Sequence, residues 1–271
     1  MRIIKMWTKV LLVLIVMLIA LEIVSSFETT FNIYTTSHQL FGKVEPEFIE
    51  GIFAILFYFI ARRYLKIDIF HQKGGYSHIF KEGWLGIFYI FSNIFLVDNS
   101  ENWNVFMHHM NAFNLLMIFV IAFIQAYSVG MFEEISVRGI IMGIMLKNFK
   151  KYPVMKSIFF SSVIFGCLHA ANFFEAPFWD TANQIIYAVG LGFVFGTIYY
   201  VTKNIWVSIL LHSLIDYSNF VLSVPLTKYT ATSSYSGISL VTILTLVLGL
   251  ISSYLFLIRY NRKQGKKDLL F

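Results

Sequence analysis

The stretch from Phe113 to Arg138, FNLLMIFVIAFIQAYSVGMFEEISVR, decides how the rest of the chain is read. Between Phe113 and Phe132 it carries no charged residue. A hydrocarbon core about 30 Å thick is crossed by roughly 20 mainly apolar residues in a helix. The stretch then closes on three ionisable side chains, Glu133, Glu134 and Arg138. In lipid such groups are costly unless they face the protein interior and find partners there. A span that is apolar along its length and charged at one end points to a membrane protein, and to a site within it.

Composition extends that reading to the whole chain. Hydrophobic residues make up 58% and charged residues 13% of the 271, against about 25% charged in soluble domains. So few charges could not cover a water-soluble surface. Eight apolar segments stand out, at about 8–26, 48–61, 84–98, 113–135, 154–171, 184–202, 205–223 and 237–259. The second and third are the shortest. The expected fold is all-α: a single polytopic membrane bundle over 1–271, with about eight transmembrane helices and both termini cytoplasmic.

The net charge of +6 does not indicate nucleic acid, because Lys and Arg gather at the ends of apolar segments. Membrane lipids are the partners that this placement implies. Alternating sides from a cytoplasmic N-terminus puts every basic residue except Lys43, Lys228 and Arg138 on one face. Deleting the third span would strand Lys147, Lys150, Lys151 and Lys156 on the wrong side. Trp7, Trp84, Trp103, Trp179 and Trp206 sit near expected interfaces. The run Val10–Leu21 fits a retained helix better than a cleaved signal, since no A-x-A site follows and Glu22 interrupts it. Cys167, the one cysteine, excludes an internal disulfide and is expected to be inert packing. No GxGxxG or Walker loop, internal repeat or low-complexity tract is present, which argues against an ATP-driven machine.

Most acids, among them Glu28, Glu45, Glu47, Asp98 and Glu101, fall in loops, and Glu22 and Glu50 lie near span ends within reach of water. The remaining ionisable residues form one set: Glu133, Glu134 and Arg138 on the fourth span, His169 on the fifth, and His212 and Asp216 on the seventh. His38, His71, His78, His108 and His109 belong to connections. Glu134 and Arg138 are one helical turn apart and can pair, while Glu133 projects about 100° away. His212 and Asp216 are likewise one turn apart.

This chemistry is hydrolytic. A carboxylate in a dry pocket can act as general base toward water. Histidines can move protons or supply donors to an oxyanion. Alternatively, Glu133, His169 and His212 could hold a zinc with water in the fourth position. No HExxH occurs, so the cofactor is either a zinc assembled across helices or none. Ser136, Ser161, Ser162, Ser208, Ser213 and Ser218 are scattered without a G-x-S-x-G turn, making a serine mechanism less economical. The plainer readings are a structural Glu134–Arg138 clamp, a core His169 and an interhelical His212–Asp216 clasp.

Three motifs carry a resemblance to a family. Glu133-Glu134-Ile-Ser-Val-Arg138 is similar to EExxxR, Phe165-Gly-Cys-Leu-His169 to FxxxH, and His212-Ser-Leu-Ile-Asp216 to HxxxN/D with the acid in the last place. In that order, on separate spans, they resemble the CPBP intramembrane proteases, also called Abi or CAAX-protease-like proteins, over about 113–223. The resemblance implies an endopeptidase acting on a membrane-associated peptide or protein. Glu133 would be the base working with His169, Glu134 and Arg138 would position it, and His212 with Asp216 would orient substrate or stabilise the oxyanion. The family includes enzymes labelled metalloproteases and proposals of metal-free hydrolysis. It spans prenylated CAAX substrates and bacteriocin processing, with non-enzymatic bacteriocin self-immunity or membrane scaffolding as the rival function. A proton-coupled carrier is a third reading, weakened by the lack of broken helices or inverted repeats. The expected location is a bacterial plasma membrane; oligomeric state has no signature in the chain.

Overall fold

The computed structural model describes residues 2–30, 48–70, 73–95, 111–223 and 235–264. His38, Lys43, His71, Trp103, His108, His109 and Lys228 lie outside them, as do Glu45, Glu47, Asp98 and Glu101. All regular structure in the described residues is helical, as expected where backbone polar groups can find no water and must bond within their own segment.

The helices run α1 (Arg2–Thr30), α2 (Phe48–Ile60), α3 (His78–Lys81), α4 (Trp84–Phe95), α5 (Ala112–Glu134), α6 (Gly143–Asn148), α7 (Pro153–Leu168), α8 (Phe178–Thr202), α9 (Ile205–Ser223) and α10 (Leu240–Lys263). Wider π-helical turns continue α2 over Ala61–Leu65 and join α5 to α6 over Ile135–Met142, and a 3₁₀ turn, His169–Phe174, extends α7.

Among the described residues, five helical stretches are long and apolar enough to cross a membrane: Ile3–Val24, Leu115–Asn148, Pro153–Phe174, Phe178–Thr202 and Leu240–Lys263, with Ile205–Val221 a shorter apolar helix. The expected spans 48–61 and 84–98 are helical in their described residues, over 48–65 once the π-helical continuation of α2 is included and over 84–95 in α4. The fourth span does not stop at 135. It runs through Arg138 to Asn148, because pairing inside the bundle removes the reason for the helix to end at a charge. Glu50, expected to reach water, is buried on α2 at 7% exposure.

Helix α1 buries Met6, Val10, Met17, Ala20 and Val24, intervals of three, four or seven residues that keep one stripe on the bundle. It lies against α2, α6 and the π-helical turns, and Trp7 meets Phe160 edge-on at 5.3 Å. Helix α8 is the centre, packing against α7, α9 and α10. Its crossing with α10 is backbone to backbone: a Cβ on Gly190 would stand 2.7 Å from the Thr245 carbonyl oxygen, and one on Gly249 would strike the Gly190 oxygen. Small residues at such crossings let the helices approach where hydrophobic burial gives no net drive.

Helix α5 packs against α2 and α9. Gly130 sets that approach, since a Cβ there would lie 2.6 Å from Ser213 Oγ and 3.1 Å from Ser213 N. Ser213 follows His212 directly and Gly130 sits one turn before Glu134, so this close contact draws the acidic end of α5 onto the histidine of α9. The segment after α2 braces the same region from outside. Ile69 is fully buried against Gly139, and Lys147 Nζ donates to the Lys66 carbonyl at 2.7 Å. Gly74 N donates to the Thr202 carbonyl at 2.7 Å and Asn204 Nδ2 returns a bond to the Gly74 oxygen at 3.0 Å.

Candidate active site

Consecutive residues on a helix point about 100° apart, so Glu133 and Glu134 occupy different surroundings. Glu134 turns into the bundle and has no exposed surface, nor has Arg138, whose Nη1 donates to Glu134 Oε1 at 2.7 Å. Glu133 keeps 19% of its side chain accessible. Two adjacent identical residues are thereby divided into an interior anchor and a group that can meet water.

Arg138 lies within the π-helical turns, all eight residues of which are buried. Its Cζ stands 4.1 Å from the Phe165 ring centroid and 5.1 Å from that of Phe195. Its Nε and Nη2 have no hydrogen-bond partner among the described residues. The aromatic faces therefore supply the compensation that a second acceptor would otherwise give.

Helix α9 brings His212 to this pair. Its Nδ1 donates toward Glu134 Oε1 at 3.1 Å. Its Nε2 is 3.4 Å from both Glu133 Oε2 and Asp216 Oδ2. Phe195 stacks on the imidazole at 5.0 Å and 21°, and Phe165 meets it edge-on at 5.5 Å and 90°. The ring is fixed on one face and one edge, leaving Nε2 directed at two partly accessible carboxylates. Contacts of 3.4 Å exceed the usual direct hydrogen bond of about 2.9 Å, and a water could bridge such groups.

His169 stands apart. It caps α7 and opens the 3₁₀ turn, its Nδ1 lies 3.1 Å from the Phe165 carbonyl oxygen, and its ring meets the Phe165 ring at 5.4 Å and 87°. Among the described residues it makes no hydrogen bond or ion pair with Glu133 or His212. Phe165 touches both histidines and stands as the spacer between them. Asn172 Nδ2 donates to Gln184 Oε1 at 2.8 Å and ties the turn carrying His169 to α8.

The sequence set thus divides. Glu133, Glu134, Arg138, His212 and Asp216 converge, and His169 borders them through Phe165. Direct cooperation of Glu133 with His169 is not what the geometry displays; the neighbour of Glu133 is His212. A zinc held by Glu133, His169 and His212 would need ligand atoms about 2.0–2.2 Å from one point. His169 is turned onto Phe165 instead, and among the described residues no group of three His, Cys, Asp or Glu side chains is arranged to hold a metal ion. The serines behave as helix residues do in lipid: Ser161 and Ser162 donate to the Ile158 carbonyl, Ser208 to Phe195, Ser213 to Ile209 and Ser218 to Ile215. Cys167, expected to be packed, is exposed on α7.

Sequence reasoning missed Phe195 and the second role of Phe165. Among 29 phenylalanines only a spacing pattern marks one out, and Phe195 belongs to none. The stacked pair Tyr89–Tyr187, with ring centroids 5.3 Å apart, also lacked a signal.

The sequence model of a family described as type II CAAX prenyl endopeptidase Rce1-like matches residues 105–218. No curated protein and no solved structure matches the chain. The matched segment contains all three motifs and all six ionisable residues of the site.

Proposed function

We propose, from the match of residues 105–218 to the Rce1-like, CAAX-type family, that this chain is an intramembrane protease and cleaves its substrate with a water activated by Glu133. The observation that carries the reading is the pairing of one accessible and one buried glutamate on the two nitrogens of a single clamped imidazole.

Each residue then has a distinct task. Glu134 and Arg138 neutralise one another inside the bundle, and Glu134 orients His212 by accepting from Nδ1. With its ring fixed, His212 presents Nε2 to the space between Glu133 and Asp216. A water held there loses a proton to the Glu133 carboxylate as its oxygen adds to the scissile carbonyl. The oxyanion that forms takes a donor from Nε2–H of His212. Asp216, with Oδ2 3.4 Å from Nε2, favours the protonated ring by its charge and leaves the Nε2 hydrogen to the oxyanion. His169, across Phe165, protonates the departing amine as the tetrahedral intermediate collapses. The proton gained by Glu133 balances the one delivered to the amine once solvent exchange restores both groups.

The substrate is a peptide or protein in or at the membrane, since α5 and α7 belong to stretches long and apolar enough to cross it and α9 is a shorter apolar helix beside them. The test is cleavage by the full chain in proteoliposomes, using a prenylated peptide ending in the CAAX pattern and an unprenylated apolar peptide. Cleavage of either is expected, and Glu133→Gln should lower it by about a hundredfold or more with helix content unchanged. Undiminished cleavage by Glu133→Gln would remove Glu133 from the role of base.

A further inference from the structure

A second cleft lies away from the carboxylate–histidine cluster, where the ends of α8 and α10 meet α3. It encloses about 610 Å³, and Lys81, Arg259 and Lys263 stand around it. All three are exposed, and none has an ion-pair or hydrogen-bond partner among the described residues. One acid lines the cleft, Glu82, and it is engaged with His78 at 2.7 Å between His78 Nδ1 and Glu82 Oε2. Among the described residues, three cations are left facing a concave space with no acid paired to them.

The rest of the lining is of a different kind. Val201, Phe256 and Tyr260 contribute to the wall, and Tyr260 is held edge-on by Tyr200 at 5.9 Å. Arg259 and Lys263 belong to the closing turns of a helix that is itself apolar and long enough to cross the membrane. A cleft with a cationic rim, an apolar wall and a position at the end of a span matches a molecule that is anionic at one end and apolar beyond it.

We propose that this cleft binds the phosphate headgroup of an anionic phospholipid, with Lys81, Arg259 and Lys263 on the phosphate and the Val201–Phe256–Tyr260 wall against the glycerol and first methylenes. A free phosphate would share the rim but has nothing to place against that wall. Basic pockets between membrane helices are suited to such headgroups because ammonium and guanidinium donors form charge-assisted bonds with phosphate oxygens. The site is independent of the proteolytic reading.

The test is native mass spectrometry of the full chain in detergent, titrated with phosphatidylglycerol and phosphatidylcholine of the same acyl chains. The first phosphatidylglycerol should bind more tightly than phosphatidylcholine, and each of Lys81→Gln, Arg259→Gln and Lys263→Gln should weaken it by about fivefold. The control Lys150→Gln with Lys151→Gln, at a basic turn elsewhere on the molecule, should leave the preference unchanged. Millimolar inorganic phosphate should not displace the lipid. Equal binding of the two lipids, equal loss in the control, or displacement by inorganic phosphate would each overturn the assignment.

Discussion

Arg138 shows how a charge is kept inside a membrane bundle. Its one carboxylate partner is Glu134, and the rest of its guanidinium rests on Phe165 and Phe195. Removing one member of a buried pair costs about 3–5 kcal/mol, because the survivor is left uncompensated. Arg138→Leu should therefore lower the unfolding midpoint sharply in detergent, and the double change Glu134→Leu, Arg138→Leu should recover much of it. Activity should not return in the double variant, since His212 has lost the acceptor for Nδ1. Thermal melting and cleavage measured on the same samples separate the two effects. His169 predicts the reverse pattern. It is half-buried and bonds only its own helix, so His169→Ala should melt within about 1 kcal/mol of the parent while cleavage falls by about a hundredfold.

At the level of helices, the α5–α9 contact governs the distance between Glu133 and His212. Gly130→Val would force the two apart at Ser213, with the consequence concentrated one turn away. The expected result is a loss of kcat larger than any rise in KM, read in the same proteoliposome assay. Much of this scale was legible in the sequence. The i and i+4 spacing of Glu134 with Arg138 and of His212 with Asp216 foretold both contacts, since helix geometry alone imposes them. Which histidine would face Glu133 could not be read that way. It depends on the rotation of α9 against α5 and on the 3₁₀ turn that carries His169 away, and neither leaves a periodic trace. Phe195 was hidden for the same reason. An aromatic residue on an already apolar helix has no contrast with its neighbours until packing selects it.

For the molecule as a whole, the lipid-facing character was plain from composition, and every apolar segment proved helical over most of its described part. Span lengths were less legible. The charges after Phe132 suggested an end where the helix continues to Asn148. The single native cysteine makes topology measurable. In a Cys167→Ser background, cysteines placed at Lys150 and at Arg259 should react with an impermeant thiol reagent from the same side of sealed vesicles. Reaction from opposite sides would contradict the alternation of spans on which the positive-inside assignment rests.

The π-helical turns between Ile135 and Met142 have one more implication. A turn of that kind holds one residue beyond the α-helical repeat, so it acts as a phase adjuster between the rod that presents the glutamates and the short rod that ends at Asn148. Shortening it by a single residue would let the backbone tighten into an ordinary helix with the two rods nearly in phase, whereas a second loss would find no slack and swivel everything downstream by roughly a quarter turn. The chain should accordingly accept many exchanges of one apolar side chain for another here, and tolerate the loss of one position far better than the loss of two.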